Sequence, residues 1–249
     1  MNNTTQNSNN SVVVLFKGGR LPTWHRVSRS DQKEYERIHV ELMLEVVQKY
    51  DLIGIQGYKL LGPQKSWEKF WVIEFPTLDG ATEWIKAEMA PPYGSYGNYE
   101  YHLAYRSIQH NHSQLVTHPR KIIKTENTID PNNLPNIRED KNSVLVLMFS
   151  RLLPEHSFTS AEDRGDSEYL DRCSRSAKTH RLMSFEEFHL MSPQTDWHKV
   201  SITELPTLEA AESWIDTQTA PPYGSYFMKT ILLARRWGPE FFSTWGNTK

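Results

Sequence analysis

Apolar positions along this chain fall into short β-branched runs and longer stripes of helical spacing, and the sequence of these blocks occurs twice. Ser11-Val12-Val13-Val14-Leu15-Phe16 reads as a buried strand ended by Gly18-Gly19. After a loop with Pro22, Trp24 and His25, the residues Tyr35, Ile38, Leu42, Met43, Val46, Val47 and Tyr50 recur at helical spacing, with Ser30 or Asp31 as the expected N-cap. A strand is predicted from Ile53 to Leu61, a turn at Gly62-Pro63, and a second strand over Trp67–Phe75 that Pro76 closes, because proline cannot donate to a ladder. Thr77 then offers an N-cap with Asp79 in the first turn, and Ala81, Trp84, Ile85 and Met89 form one apolar stripe. Pro91-Pro92 stops that helix, since a residue before proline is driven out of helical geometry. A last strand runs from Tyr99 to Arg106. The order is β-α-β-β-α-β.

The same order returns with Ser143–Met148, a helix over Tyr169–Leu182, strands near 184–191 and 197–205, a helix over Leu208–Thr219 and a strand over Phe227–Arg236. Residues 74–96, EFPTLDGATEWIKAEMAPPYGSY, match residues 204–226, ELPTLEAAESWIDTQTAPPYGSY, at a constant offset of 130. Pro63-Gln64-x-x-Trp67 and Pro193-Gln194-x-x-Trp197 obey the same offset, as do Ala104-x-Arg106 and Ala234-x-Arg236. A period this long makes each copy a small domain rather than a solenoid unit. The expected organisation is a disordered Asn-rich segment at 1–10, repeat 1 at 11–106, a polar linker at 107–142, repeat 2 at 143–237 and an aromatic-rich tail at 238–249.

A β-α-β-β-α-β unit is the ferredoxin-like arrangement. A strand ending Glu-[Phe/Leu]-Pro-Thr-Leu, a helix bearing Trp-Ile, the Ala-Pro-Pro-Tyr-Gly-Ser-Tyr turn and a strand ending Ala-x-Arg together resemble the dimeric α+β barrel superfamily. The resemblance implies an α+β fold in which two ferredoxin-like repeats pack sheet to sheet, here within one chain as an internal pseudo-dimeric barrel. That superfamily includes monooxygenases, isomerases, cyclases, haem-handling enzymes and members of unknown activity, so the resemblance implies a small-molecule-binding protein without choosing a reaction. The competing expectation is a non-catalytic structural or protein-interaction module.

Composition narrows the partners. With 28 Lys and Arg against 30 Asp and Glu, the net charge of -2 gives no electrostatic reason to bind nucleic acid or an anionic membrane. No run approaches the eighteen or so apolar residues of a membrane helix, and the first ten residues lack the features of a secretory signal. The single Cys173 has no intramolecular disulfide partner, which favours a reducing compartment, and a cytoplasmic location is expected. Self-association is compatible with the resemblance. No cofactor is indicated. No metal spacing, P-loop, dinucleotide fingerprint or nucleophile elbow is present, and His110-x-His112 lacks further ligands at a recognisable spacing.

The topology predicts that the loop after the first strand, the hairpin between strands two and three, and the loop before the last strand share one end of each repeat. That end collects the candidate ligand-binding residues Trp24, His25, Gln64, Trp67, Tyr93 and Tyr96 in copy one, and Trp197, Tyr223 and Tyr226 in copy two, with His102 nearby on the last strand. Two accounts of these loops stand: Pro-Pro halts the helix, Gly94 and Gly224 supply positive φ and the tyrosines staple the turn, or the aromatics line a pocket mouth. Copy one is the favoured pocket, because Tyr99, Tyr101 and His102 stand where copy two has Lys229, Ile231 and Leu232. Glu74 with Arg106, and Glu204 with Arg236, are expected as structural ion pairs. His39, bordering the apolar face of the first helix, is read as a core histidine, with haem ligation or general-base chemistry as its functional alternative.

Overall fold

The computed structural model describes residues 11–64, 66–107, 115–116, 143–191 and 197–237. Most of the expected linker, the Asn-rich start and the tail lie outside the described residues, as do His110 and His112. The chain divides after Arg106 into two compact units.

In the first unit, β1 (Val12–Arg20) is followed by α1 (Arg29–Lys49), β2 (Gly54–Gln64), β3 (Trp67–Phe75), α2 (Leu78–Glu88) and β4 (Gly97–Arg106). The strands are antiparallel in the order β4-β1-β3-β2, with Phe16 of β1 opposite both Trp71 and Tyr101. Strand alternation splits this sheet into two chemically different faces. Phe16, Lys69, Trp71, Phe75, Tyr99 and Tyr101 share the face that the helices cover, where Trp84 of α2 meets Phe75 with ring centroids 5.9 Å apart. Lys17, Glu74, Glu100, His102 and Arg106 lie on the other.

Local rules explain the boundaries. Thr77 caps α2 by accepting from the Gly80 amide at 3.3 Å. For α1 the cap is Ser28 rather than Ser30 or Asp31. Its backbone is extended and its hydroxyl accepts from the Asp31 amide at 3.2 Å, which places Ser30 and Asp31 in the first turn. β2 runs through Gly62-Pro63 instead of turning there, and the chain reverses at Ser66, which adopts φ 71°. β1 likewise continues through Gly18-Gly19, since the missing side chains leave room for Phe16 and Lys69 on one side and the Ser66 carbonyl on the other.

The second unit repeats the plan with β5 (Val144–Leu152), α3 (Asp166–Thr179), β6 (Ser184–Leu190), β7 (Lys199–Leu205), α4 (Leu208–Thr219) and β8 (Phe227–Arg236), in the antiparallel order β8-β5-β7-β6. Thr207 caps α4 through the Ala210 amide, as Thr77 caps α2. The pairing of Val13 with Glu74 and of Leu145 with Glu204 shows that β5 is offset from β1 by two residues more than the rest of the repeat. Arg20 therefore corresponds to Leu152, and Trp24 to His156. The fold class is α+β, built of two ferredoxin-like repeats.

Candidate functional site

The Pro-Pro-Tyr-Gly-Ser-Tyr segment forms a 3₁₀ turn over Tyr93–Tyr96, and again over Tyr223–Tyr226. Gly94 and Gly224 do not supply positive φ there. They are glycines because a Cβ would lie 2.3 Å from the Met89 carbonyl in one copy and 1.9 Å from the Thr219 carbonyl in the other. In the first unit a second 3₁₀ turn, Pro22–Arg26, is tied to this one by the Leu21 amide donating to the Tyr96 carbonyl at 2.9 Å. Trp24, 7% exposed, fits between the rings of Tyr93 and Tyr96, each 5.6 Å away. His25 on the same turn is exposed to solvent.

Tyr93 carries the loop inward. Its ring stacks on that of His39 of α1 at 4.1 Å, and the Arg20 guanidinium lies over the same Tyr93 ring, 3.7 Å from its centroid. His39 is 7% exposed and its Nε2 lies 3.3 Å from the carboxylate of Glu88, itself 5% exposed at the end of α2. Lys69 of β3 approaches the same carboxylate at 3.8 Å and stands 5.4 Å over the ring of Phe16. Phe16 stacks in turn on Tyr101 at 4.9 Å and meets Tyr99 at 5.7 Å. The helices and the sheet of the first unit thus enclose Arg20, His39, Lys69 and Glu88 within an aromatic surround.

Electrostatics in this cluster follow from burial. Burial alone pushes the Glu88 carboxyl up, yet its hydrogen bond with His39 and the charges of Lys69 and Arg20 hold it below the ordinary carboxylate value. Burial lowers both Lys69 and Arg20, against the pull of Glu88. The Tyr99 phenol is pushed up to about 12 by burial and then by Glu88, and Tyr101 is raised by the same two causes. Both tyrosines are therefore neutral donors across the working pH range.

Four polar atoms in this cluster are buried without a hydrogen-bond partner among the described residues: Arg20 Nη1, His39 Nδ1, and the hydroxyls of Tyr99 and Tyr101. Arg20 lies close enough to Tyr99 to favour its ionised form, but no hydrogen bond of normal geometry joins them. Buried polar groups are satisfied in more than about nine cases of ten, so four together mark a place where water or a ligand belongs.

The second unit shows what the same positions become. Tyr169 replaces His39 and Gln218 replaces Glu88; the Tyr169 hydroxyl donates to the Gln218 side chain, while its ring stacks on Tyr223 at 3.7 Å. Gln218 also donates to Cys173 at 3.2 Å. Lys229 stands where Tyr99 does, donates to the Gln218 carbonyl and lies 5.7 Å over both Tyr223 and Phe227. Burial and the neighbouring Lys199 lower its pKa to about 8. Tyr226 meets His156 edge-on at 4.8 Å.

The remaining sequence candidates stand apart from the cluster. His102, 2% exposed, sits on the opposite face of β4 from Tyr99 and Tyr101, with Nε2 2.7 Å from Glu100, which also binds Lys17. Trp67 packs 5.4 Å from the Lys17 ammonium, and Trp197 meets Phe149, the counterpart of Lys17, at 6.1 Å. The side chain of Gln64 lies outside the described residues. Arg106 donates to Glu74, and Arg236 to Glu204, each pair at 2.9 Å, and Ser11 and Ser143 add hydrogen bonds to the two carboxylates. Arg20, Lys69 and Glu88 escaped the sequence reading. For Glu88 a signal was available at the offset of 130, where His39 and Glu88 are replaced together by Tyr169 and Gln218 inside an otherwise matching frame; Lys69 is matched by Lys199, and Arg20 meets Leu152 only through the shifted register of β5. Among the described residues no group of His, Cys, Asp and Glu is arranged to hold a metal ion, and no helix is long and apolar enough to cross a membrane.

No protein-family model and no curated protein matches the sequence. Solved structures do match. A variant of the chlorite dismutase from Candidatus Nitrospira defluvii superimposes with a TM-score of 0.67 at 11% identity, covering 97% of each chain. The same protein in complex with imidazole gives 0.64 at 10% identity, over 96% of this chain and 95% of that one. Another variant, in complex with cyanide, gives 0.64 at 10% identity, over 97% of each. At these identities the likeness is one of fold, and the chain has the fold of these proteins, a dimeric α+β barrel of two ferredoxin-like repeats.

Proposed function

We propose that the chain, sharing its fold with the chlorite dismutases, is a small-molecule-binding α+β barrel protein that holds a partly apolar ligand between the sheet and helices of its first unit. One observation carries this reading: four buried polar atoms, from Arg20, His39, Tyr99 and Tyr101, lack partners inside an aromatic enclosure. A purely structural core would leave each of them at a cost of about 1–3 kcal/mol. The second unit, where Tyr169, Gln218 and Ile231 occupy the matching positions, is the retained frame without the function. The edges of Tyr93 and Phe16 wall the ligand, Tyr99 and Tyr101 donate hydrogen bonds, and the His39–Glu88 pair is placed to move a proton.

A second reading rests on His39 itself. Haem is among the groups handled by proteins that this repeat resembles, and His39 matches its needs: one ring nitrogen is tied to a carboxylate and the other is buried without a partner. His39 would hold the iron, and Glu88 would fix the orientation of the ring. When bound, haem would supply redox chemistry that no side chain provides.

Both readings are tested by titrating the purified protein with hemin, followed by visible absorbance, and with 2-naphthol, followed by calorimetry. Saturation by at least one probe at one equivalent is expected, lost for hemin in His39→Ala and weakened for 2-naphthol in Tyr101→Phe. Tyr223→Phe in the second unit leaves either titration unchanged. Binding of neither probe, or binding indifferent to the first-unit substitutions, overturns the assignment and favours the interaction-module alternative.

A further inference from the structure

The unmet groups of the first-unit cluster are nearly all donors. Arg20 Nη1 has only hydrogens to offer, and the Tyr99 and Tyr101 phenols stay protonated because burial and Glu88 oppose their ionisation. Whatever completes them must bring acceptor atoms. Charge points the same way. Arg20 and Lys69 face one buried carboxylate, Glu88, and Arg20 forms no ion pair among the described residues. Buried charges are paired in folded proteins, and the other carboxylate acting on Arg20, Glu36, is exposed, so an anion brought by the ligand would complete the pairing inside the cluster.

The position of Arg20 sets the shape of that missing group. Its guanidinium carbon lies 3.7 Å from the Tyr93 ring centroid and 4.7 Å from that of Trp24, and its buried Nη1 has no acceptor among the described residues. A carboxylate is an acceptor that a guanidinium binds with a charge-assisted hydrogen bond. The nearby rings of Phe16, Tyr99 and Tyr101 suit a flat apolar body attached to it. The second unit is an internal comparison: Leu152 replaces Arg20 and Ile231 replaces Tyr101, so two of the three unmet donors are gone, and Lys229, in the place of Tyr99, already donates to the Gln218 carbonyl.

Resting on the site proposed above, we infer that its ligand is an aromatic or otherwise planar carboxylate, its charge met by Arg20 and its oxygens accepting from Tyr99 and Tyr101. The ring packs against Phe16 and Tyr93.

The test compares 2-naphthoate with 2-naphthamide by calorimetry on wild-type protein, Arg20→Gln, Arg20→Lys and Tyr101→Phe, each checked by thermal melting. The wild type should bind the carboxylate about tenfold or more tighter than the amide. Arg20→Gln should bring that ratio close to one, Arg20→Lys should keep part of it, and Tyr101→Phe should reduce it. Should Arg20→Gln fail to fold, the ratio in Tyr101→Phe and Arg20→Lys decides. Equal affinity for the two probes in wild type overturns the carboxylate inference, and if 2-naphthol still binds in a Tyr101-dependent way the site itself survives. Failure of all three probes overturns the carboxylate inference, and failure of hemin as well overturns the site.

Discussion

Glu88→Gln removes one negative charge from beneath two cations while keeping volume and one hydrogen-bonding oxygen. The carboxylate is 5% exposed and has His39 at 3.3 Å and Lys69 at 3.8 Å, with Arg20 close enough to contribute charge. Breaking a buried pair by removing one partner costs about 3–5 kcal/mol, and the retained amide oxygen recovers roughly one hydrogen bond of about 1 kcal/mol. A loss of about 2–4 kcal/mol is therefore expected, or a fall of about 5–15 °C in the melting temperature of a protein of this size. The second unit supplies the matched repair, because it carries Tyr169 with Gln218 at the same positions. His39→Tyr combined with Glu88→Gln should recover part of the loss, leaving Lys69 as the residual penalty, so the two changes should couple by about 1 kcal/mol or more. Differential scanning calorimetry of the two single variants and the double variant measures this. A Glu88→Gln protein melting within about 2 °C of wild type would refute the reasoning, as would strict additivity of the two changes.

Three further outcomes follow from the geometry. Gly94→Ala and Gly224→Ala each force a Cβ onto a backbone carbonyl, at 2.3 and 1.9 Å, and should each cost about 1–3 kcal/mol in denaturant titrations, more than an ordinary helix-end substitution. Glu100, held down to about 2 by His102 and Lys17 despite burial, contributes stability that is complete above its ordinary value of 4.5 and is lost as pH falls towards 2. Glu100→Gln should flatten the acid limb of the stability curve in that window, and an unchanged limb would show that Glu100 is not the group responsible. Lys229, with its pKa lowered to about 8, should be acylated by a limiting amine reagent at pH 7.5 ahead of exposed lysines such as Lys49, as read by peptide mass spectrometry; equal labelling would count against its buried setting.

Secondary structure was legible wherever one local rule dominated. Thr77 announced α2 as its cap, Pro76 marked the end of β3, and Phe227–Arg236 read correctly as a strand. Boundaries set by close approach were not legible. Gly18-Gly19 and Gly62-Pro63 look like turns in sequence but lie within strands; at Gly18-Gly19 the missing side chains admit Phe16, Lys69 and the Ser66 carbonyl, whereas Gly62 takes positive φ inside the strand with open space around it. The site was half legible. Trp24, Tyr93 and Tyr96 do converge, since the topology forces their loops to one end. His102 does not join them, because strand alternation turns it to the face opposite Tyr99 and Tyr101. Glu88 was invisible as a site residue. Only the packing of α2 on α1 and β3 turns a carboxylate at a helix end into the buried partner of His39 and Lys69.

A crystal structure of the protein grown with 2-naphthoate tests the central claim most directly. The account predicts density for the ligand on the helix side of the first sheet, with its carboxylate within hydrogen-bond distance of Arg20 and at least one of the Tyr99 and Tyr101 hydroxyls, and its ring against Phe16 or Tyr93. Finding Arg20, Tyr99 and Tyr101 paired with one another or with protein carbonyls, and no ligand among them, would contradict it.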